Sequence, residues 1–233
     1  MRRFFFFLAI LGLLPAFGQE IAGEHIDPDS VRSWDAGLDA YEGIYHFGFS
    51  EAESELLLIV DDQQVYAQLR QWEFTDDGQN WVMTYQNFEE VSITKDLFRA
   101  ANIEGDFVSC VYEEERRNGL RIDNPWSPLM TEASYEIGLK QNRKGEIFDG
   151  RFPQASSQSL SESTIRILEL EDIRIMRNEI FARYGYIFRE GGEMESYFKQ
   201  QAWYKPAHKN VDDFLTELEK KNIRLIQSVE ARN

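Results

Sequence analysis

Between residues 41 and 148 the chain is divided into short runs of aromatic and β-branched residues by turn-forming clusters. No stretch between those runs is long enough for a helical crossover. Parallel strands need a crossover of a dozen or more residues, usually a helix, whereas antiparallel strands need only a tight turn. The region therefore reads as an antiparallel sheet. The opening run is Tyr41-Glu42-Gly43-Ile44-Tyr45-His46-Phe47. Residues 56–60 and 65–69 flank Asp61-Asp62-Gln63-Gln64, and Asp76-Asp77-Gly78 separates 72–75 from 81–85. Phe88, Val91 and Ile93 precede Leu97-Phe98 and then 107–112. Asn118-Gly119, between 113–117 and 120–122, is the strongest hairpin signal, because both residues tolerate positive φ. Asn142-Arg143-Lys144-Gly145 divides 135–139 from Ile147-Phe148. Eight or more such strands in series predict a barrel or a strongly curled sheet, with a two-sheet sandwich as the other solution. Closure would remove exposed strand edges.

The chain changes character at both ends of this region. Arg2 and Arg3 precede an uncharged run from Phe4 to Leu14, then Pro15 and Ala16-Phe17-Gly18. A basic start, a short apolar core and small residues before a cut predict a secretory signal peptide over 1–18. Residues 19–40 read as a lead-in and 41–152 as the β domain. The small, polar stretch 153–160 reads as a linker, and 161–233 as a helical domain. There, Ile173, Met176, Ile180 and Tyr184 recur at helical spacing, and Gly185 follows where a left-handed cap would end the helix. Met194, Tyr197 and Phe198 share one face of a second, short helix, which Trp203-Tyr204-Lys205-Pro206 stops. Thr216 and Glu219 form a capping box, and Leu218, Asn222, Leu225 and Val229 form the inward stripe of a third helix. The predicted class is α+β.

Charge excludes one broad function. The formal net charge is −16, from 41 acidic and 25 basic residues. A nucleic-acid binder needs the opposite sign to displace counterions from phosphates. The imbalance is uneven: residues 19–159 hold 28 acidic and 11 basic residues, and 160–233 hold 13 and 12. Cys110 is the only cysteine, so no internal disulfide and no multi-cysteine zinc site can form. Its setting, Val108-Ser109-Cys110-Val111, suggests an inert core thiol. His25, His46 and His208 are scattered without metal-ligand spacing. The pairs Asp61-Asp62, Asp76-Asp77 and Glu89-Glu90 do not match an EF-hand loop and read as solvated turn charges. No Gly-x-Ser-x-Gly elbow is present. The residues thus predict no catalytic set, no metal and no cofactor.

One long motif resembles a known family. Arg177-Asn178-Glu179-Ile180-Phe181-Ala182-Arg183-Tyr184-Gly185-Tyr186-Ile187-Phe188 is similar to the signature of the YARHG domain, and Trp203-Tyr204 and residues 215–223 follow in the family's order. Phe181 stands where the motif has tyrosine, and Tyr184 where it has histidine. The resemblance implies a small extracytoplasmic bacterial module of unknown activity. Over a few residues, Gly43-Ile44-Tyr45 is also similar to the first strand of lipocalin-like barrels.

The motif's own chemistry reads as structural. Glu179 lies four residues before Arg183, the favourable orientation for a helical ion pair. Arg177 and Asn178 are expected to donate to carbonyls after Gly185, with Asn222 reaching the same region. Tyr184 can replace histidine by packing its ring and donating one hydrogen bond. A phenol with an ordinary pKa near 10 is a poor general acid–base group. Trp203 and Tyr204 are the candidate ligand-binding platform. The reading is an exported, periplasmic or secreted, non-catalytic binding protein of the cell envelope, with an unidentified envelope ligand or protein as partner. It has no nucleic-acid partner and no stable membrane anchor after cleavage. The alternative is an envelope hydrolase using paired carboxylates. The barrel's aromatic residues either fill its interior or line a cavity for a small apolar ligand, and packed interiors favour filling.

Overall fold

The computed structural model describes residues 26–48, 53–75, 78–126, 135–141 and 147–232. The leader 1–18, His25, Asp76-Asp77 and the 142–145 turn lie outside the described residues. Ten described strands form one curled antiparallel sheet. They are β1 (Ile26–Ser33), β2 (Gly43–Phe47), β3 (Ser54–Asp61), β4 (Gln64–Phe74), β5 (Trp81–Asn87), β6 (Ser92–Thr94), β7 (Leu97–Ala100), β8 (Ile103–Tyr112), β9 (Glu115–Ile122) and β10 (Glu136–Lys140). The order across the sheet is β5-β4-β3-β2-β10-β9-β8-β7-β6, and β1 pairs with the second half of β8. The sheet is a half-barrel, because its end strands β5 and β6 do not pair. The segment joining them bonds inward instead, with Phe88 N donating to Ala67 O and Ala101 N to Glu89 O.

Alternation along each strand builds two faces. Tyr45, Phe47, Leu56, Leu58, Phe107, Leu120 and Ile122 point to the concave side, where Tyr41 stacks on Phe107 with ring centroids 4.0 Å apart. Side chains fill this interior, and Tyr45, Phe47, Phe98 and Phe107 are fully buried. The residues between them, Ile44, Leu57 and Ile59, point outward and are buried against Phe148 and Leu218. Both faces of β2 and β3 are therefore covered, which accounts for the unbroken apolar run Leu56–Ile59.

The helices lie on that outer face: α1 (Gln154–Ser157), α2 (Glu162–Arg166), α3 (Leu170–Arg183), α4 (Glu193–Phe198) and α5 (Glu217–Glu230). Thr216 caps α5 through a reciprocal capping box with Glu219, and α3 ends at Gly185, which has φ +69°.

Several sequence expectations are corrected. Asn118-Gly119 is not a turn: both residues lie inside β9, and β8 turns into it at Glu113-Glu114, whose φ values are +47° and +68°. Gly119 is there because the sheet closes on it, since a Cβ would meet Gly138 O at 2.7 Å and Ile137 Cγ2 at 2.9 Å. Residues 65–69 and 72–74 belong to one long strand, β4, and Thr75 follows its end. Ile147-Phe148 forms a bend rather than a strand and inserts Phe148 between sheet and helices. The stretch before residue 40 contains β1 and a 3-10 turn, Leu38–Tyr41. Within 153–160, α1 places Ala155 and Ser156 in the buried core, so the helical part draws on residues upstream of 161.

Candidate functional site

The signature helix α3 carries its polar residues inward, and each is satisfied by a specific partner. Glu179 is 1% exposed. Its Oε1 accepts from Arg151 N at 2.6 Å, and its Oε2 from Phe152 N at 2.7 Å and from Arg183 Nη2 at 3.1 Å. Arg183 also donates to Asp149 O and to Ser156 Oγ. Burial draws the Arg183 guanidinium below its usual value, and the Glu179 carboxylate opposes that shift. This pair clamps the chain where it leaves the sheet. A buried ion pair holds only if such additional hydrogen bonds satisfy it.

One turn on, the Tyr184 hydroxyl donates to Glu219 Oε2 at 2.6 Å and accepts from Gln68 Nε2 at 3.1 Å. Burial, then the neighbouring Glu219 charge, hold this phenol well above its usual value, so it remains a neutral donor. Glu219 Oε2 also receives Thr216 N and Oγ1, while Glu219 Oε1 has no hydrogen-bond partner among the described residues. Gln68 donates as well to Phe214 O at 2.7 Å, and Asn87 Nδ2 donates to Phe214 O and Leu215 O at 3.1 and 3.0 Å. The sheet thus reads the helical part through two side-chain amides. Gly185 then turns the chain at positive φ, where a Cβ would meet Lys205 O at 2.6 Å. Its carbonyl accepts from Ala207 N and His208 N.

Arg177 and Asn178 do not reach the segment after Gly185. Arg177 pairs with Glu230 at 2.8 Å, and Asn178 donates to Arg174 O in its own helix. Both side chains leave α3 away from that segment. Asn222, buried in α5, holds α1 and the segment after it instead: it accepts from Leu160 N and donates to Ala155 O and Gln158 O. Tyr204 is buried and donates to Tyr186 O at 2.6 Å, so only half-buried Trp203 of that pair faces a cleft.

That cleft, about 410 Å³, opens where the outer face of β4 and β5 runs past the helices. Trp72 and Trp81 form one side, Trp203 and Lys205 the other, with Met83 and His208 between them. Trp72, Phe74 and Trp81 are 46%, 57% and 41% exposed, and the rings of Phe74 and Trp81 lie 3.9 Å apart. Their pairing explains the patch: Phe74 sits opposite Trp81 and Trp72 opposite Met83, all on the face that carries Gln68 further down. His208 is not a surface turn residue, since its Nε2 donates to Met83 O at 3.0 Å and its ring packs on Phe214. Sequence reasoning missed Gln68, Asn87, Trp72 and Trp81. The available signal was the excess of large aromatic residues on either side of the sequence Asp76-Asp77-Gly78, at positions where alternation calls for polar side chains.

A second cluster lies on β2 and β3. His46 sits between Glu53 and Glu55, with Nε2 3.4 Å from Glu53 Oε2 and Nδ1 3.8 Å from Glu55 Oε1. Gln141 Nε2 donates to Glu55 at 2.9 Å. Cys110 is buried, and burial pushes its thiol up. Among the described residues, no group of three or more His, Cys, Asp or Glu is placed to hold a metal ion. No helix among them is long and apolar enough to cross a membrane.

Comparison with curated proteins and with solved structures finds no match, so the similarity of Gly43-Ile44-Tyr45 to lipocalin-like barrels rests on those residues alone. Residues 151–231, which contain the clamp, the Tyr184–Glu219 bond and one wall of the cleft, match the YARHG domain family.

Proposed function

We propose that this is an exported, non-catalytic binding protein of the cell envelope, and that its ligand seats in the cleft between the β4–β5 hairpin and the YARHG domain. The exposed tryptophans carry this reading. Large contiguous aromatic surface is rarely left to water without an interaction to serve, and tryptophan is enriched where partners bind. The signature residues support it from the other side. Glu179, Arg183, Tyr184 and Glu219 are buried and engaged with one another or with backbone. A group that holds backbone in place is not free to exchange protons with a substrate. Export rests on the leader-like segment and on the extracytoplasmic character of YARHG domains.

The test is tryptophan fluorescence of the full-length protein titrated with envelope extract, beside the Trp72→Ala/Trp81→Ala variant. A saturable change in the parent that the variant lacks is expected. An extract that leaves the emission unchanged, or that the parent protein degrades, would sink the reading. N-terminal sequencing of exported protein is expected to begin near Gln19.

A further inference from the structure

The cleft's hydrogen-bonding character narrows what can fill it. The indole N–H groups of Trp72, Trp81 and Trp203 donate only, and none has a protein acceptor among the described residues. Lys205 is exposed and pairs with no carboxylate there. Among the described residues, no Asp, Glu, Asn, Gln, Ser or Thr lines the cleft, although the chain has 41 acidic residues. The cleft therefore offers ring faces and donors, and few acceptors. A sugar hydroxyl can accept from an indole N–H, but its own O–H would find few acceptors on desolvation, which is costly.

Strand addition is obstructed as well. Phe88 N donates to Ala67 O and Thr75 N to Asn80 O, which sets the phase of the ladder. Even-numbered residues of β5 face β4, and odd-numbered ones face the open edge. On that edge Met83 O is already taken by His208. An incoming strand would lose that bond at the middle of β5.

We propose that the cleft binds a proline-rich peptide segment in the polyproline II conformation, flanked by acidic residues; this deepens the reading above and rests on it. Proline has no N–H, so such a segment presents carbonyl acceptors and rigid apolar rings. Polyproline II leaves those carbonyls unused by internal hydrogen bonds. Proline rings seat between aromatic ridges, and ridge N–H groups reach the carbonyls. Lys205 selects the acidic flank, since among the described residues it is a cleft cation with no carboxylate partner.

The experiment uses the full-length protein and four probes: a proline-rich peptide flanked by glutamates, the same core flanked by lysines, the glutamate-flanked peptide with alanine replacing proline, and a neutral amino-sugar oligosaccharide. The readouts are tryptophan fluorescence and the indole N–H signals in NMR spectra. The glutamate-flanked proline peptide is expected to bind saturably and to shift the indole signals, about tenfold tighter than its alanine counterpart. Trp81→Ala is expected to weaken it by about tenfold or more. Lys205→Glu, an exposed change that leaves the fold intact, is expected to reverse the preference between flanks. Equal binding of alanine and proline peptides, or indole shifts with the oligosaccharide alone, overturns this inference and leaves the cleft as the binding surface. If neither these probes nor envelope extract moves the indole signals, the cleft reading falls with it.

Discussion

Tyr184 shows what a phenol does at its position at the end of the motif helix. The family motif has histidine there, and this chain has a phenol whose hydroxyl donates to Glu219 at 2.6 Å in a site closed to water. Burial holds the phenol neutral, so it cannot cycle protons near neutral pH, yet it donates one strong hydrogen bond to a carboxylate. Tyr184→Phe keeps the ring against Tyr85 and removes that donor, along with one of the acceptors of Gln68 Nε2. Glu219 would then stay buried with one partner fewer, at a cost of about 1–3 kcal/mol. For a protein of this size that is a melting-point drop of about 2–4 °C per kcal/mol. Thermal melts of the full chain followed by near-ultraviolet circular dichroism measure it, and an unshifted midpoint would show that the bond contributes nothing.

At the scale of elements, the end of β2 and the start of β3 are tied by His46, Glu53 and Glu55. The Glu55 carboxylate, 3.8 Å from Nδ1, raises the His46 imidazole above its ordinary value, against the opposing effect of burial. The neighbouring His46 in turn lowers the Glu55 carboxyl, with Arg70 helping. The signs set the window. The histidine contribution is full below its unfolded pKa and is lost as pH rises through the raised folded value. The carboxylate contribution is full above its unfolded pKa and is lost as pH falls through the depressed folded value. The two overlap in mildly acidic solution. His46→Gln is therefore expected to lower stability most near pH 5–6, about midway between the ordinary carboxylate and imidazole values, and least above pH 8. Denaturant titrations of parent and variant across that range decide it, and a penalty independent of pH would remove the ion pair from the account. All three side chains are partly exposed, so solvent screens the effect.

At the scale of the whole molecule, the sheet and the YARHG domain share a buried boundary. Leu218 and Phe148 complete the outer face of β2 and β3, and Gln68 and Asn87 bond the loop before α5. The helical core also takes Phe152 and Ala155 from upstream, and Glu179 takes two backbone donors from the same segment. A fragment starting at Leu160 therefore lacks part of its core and leaves the Glu179 clamp half empty. A fragment starting at Ile147 keeps both. The shorter fragment is expected to show a broad, weakly cooperative melt, and the longer one a sharp melt at lower temperature than the full protein. Equal, cooperative melts for both fragments would mean that the entering segment is dispensable.

Local chemistry was sufficient for much of this protein. Alternating apolar runs without crossovers specify antiparallel pairing because side-chain direction has period two. The Thr216–Glu219 capping box and the end of α3 at Gly185 depend only on residues a few positions apart, so they are legible in one dimension. The reading failed where partners lie far apart in sequence. Asn118-Gly119 has turn chemistry, but Gly119 is needed for close approach to Gly138, a contact that only the folded sheet creates. Arg177 finds Glu230, Tyr184 finds Glu219 and Gln68, and Trp72 and Trp81 meet Trp203 across a cleft. No local pattern encodes which distant group satisfies a buried polar atom or leaves a ring uncovered. Those choices follow from how the half-barrel curls and which part of its outer face the helices cover.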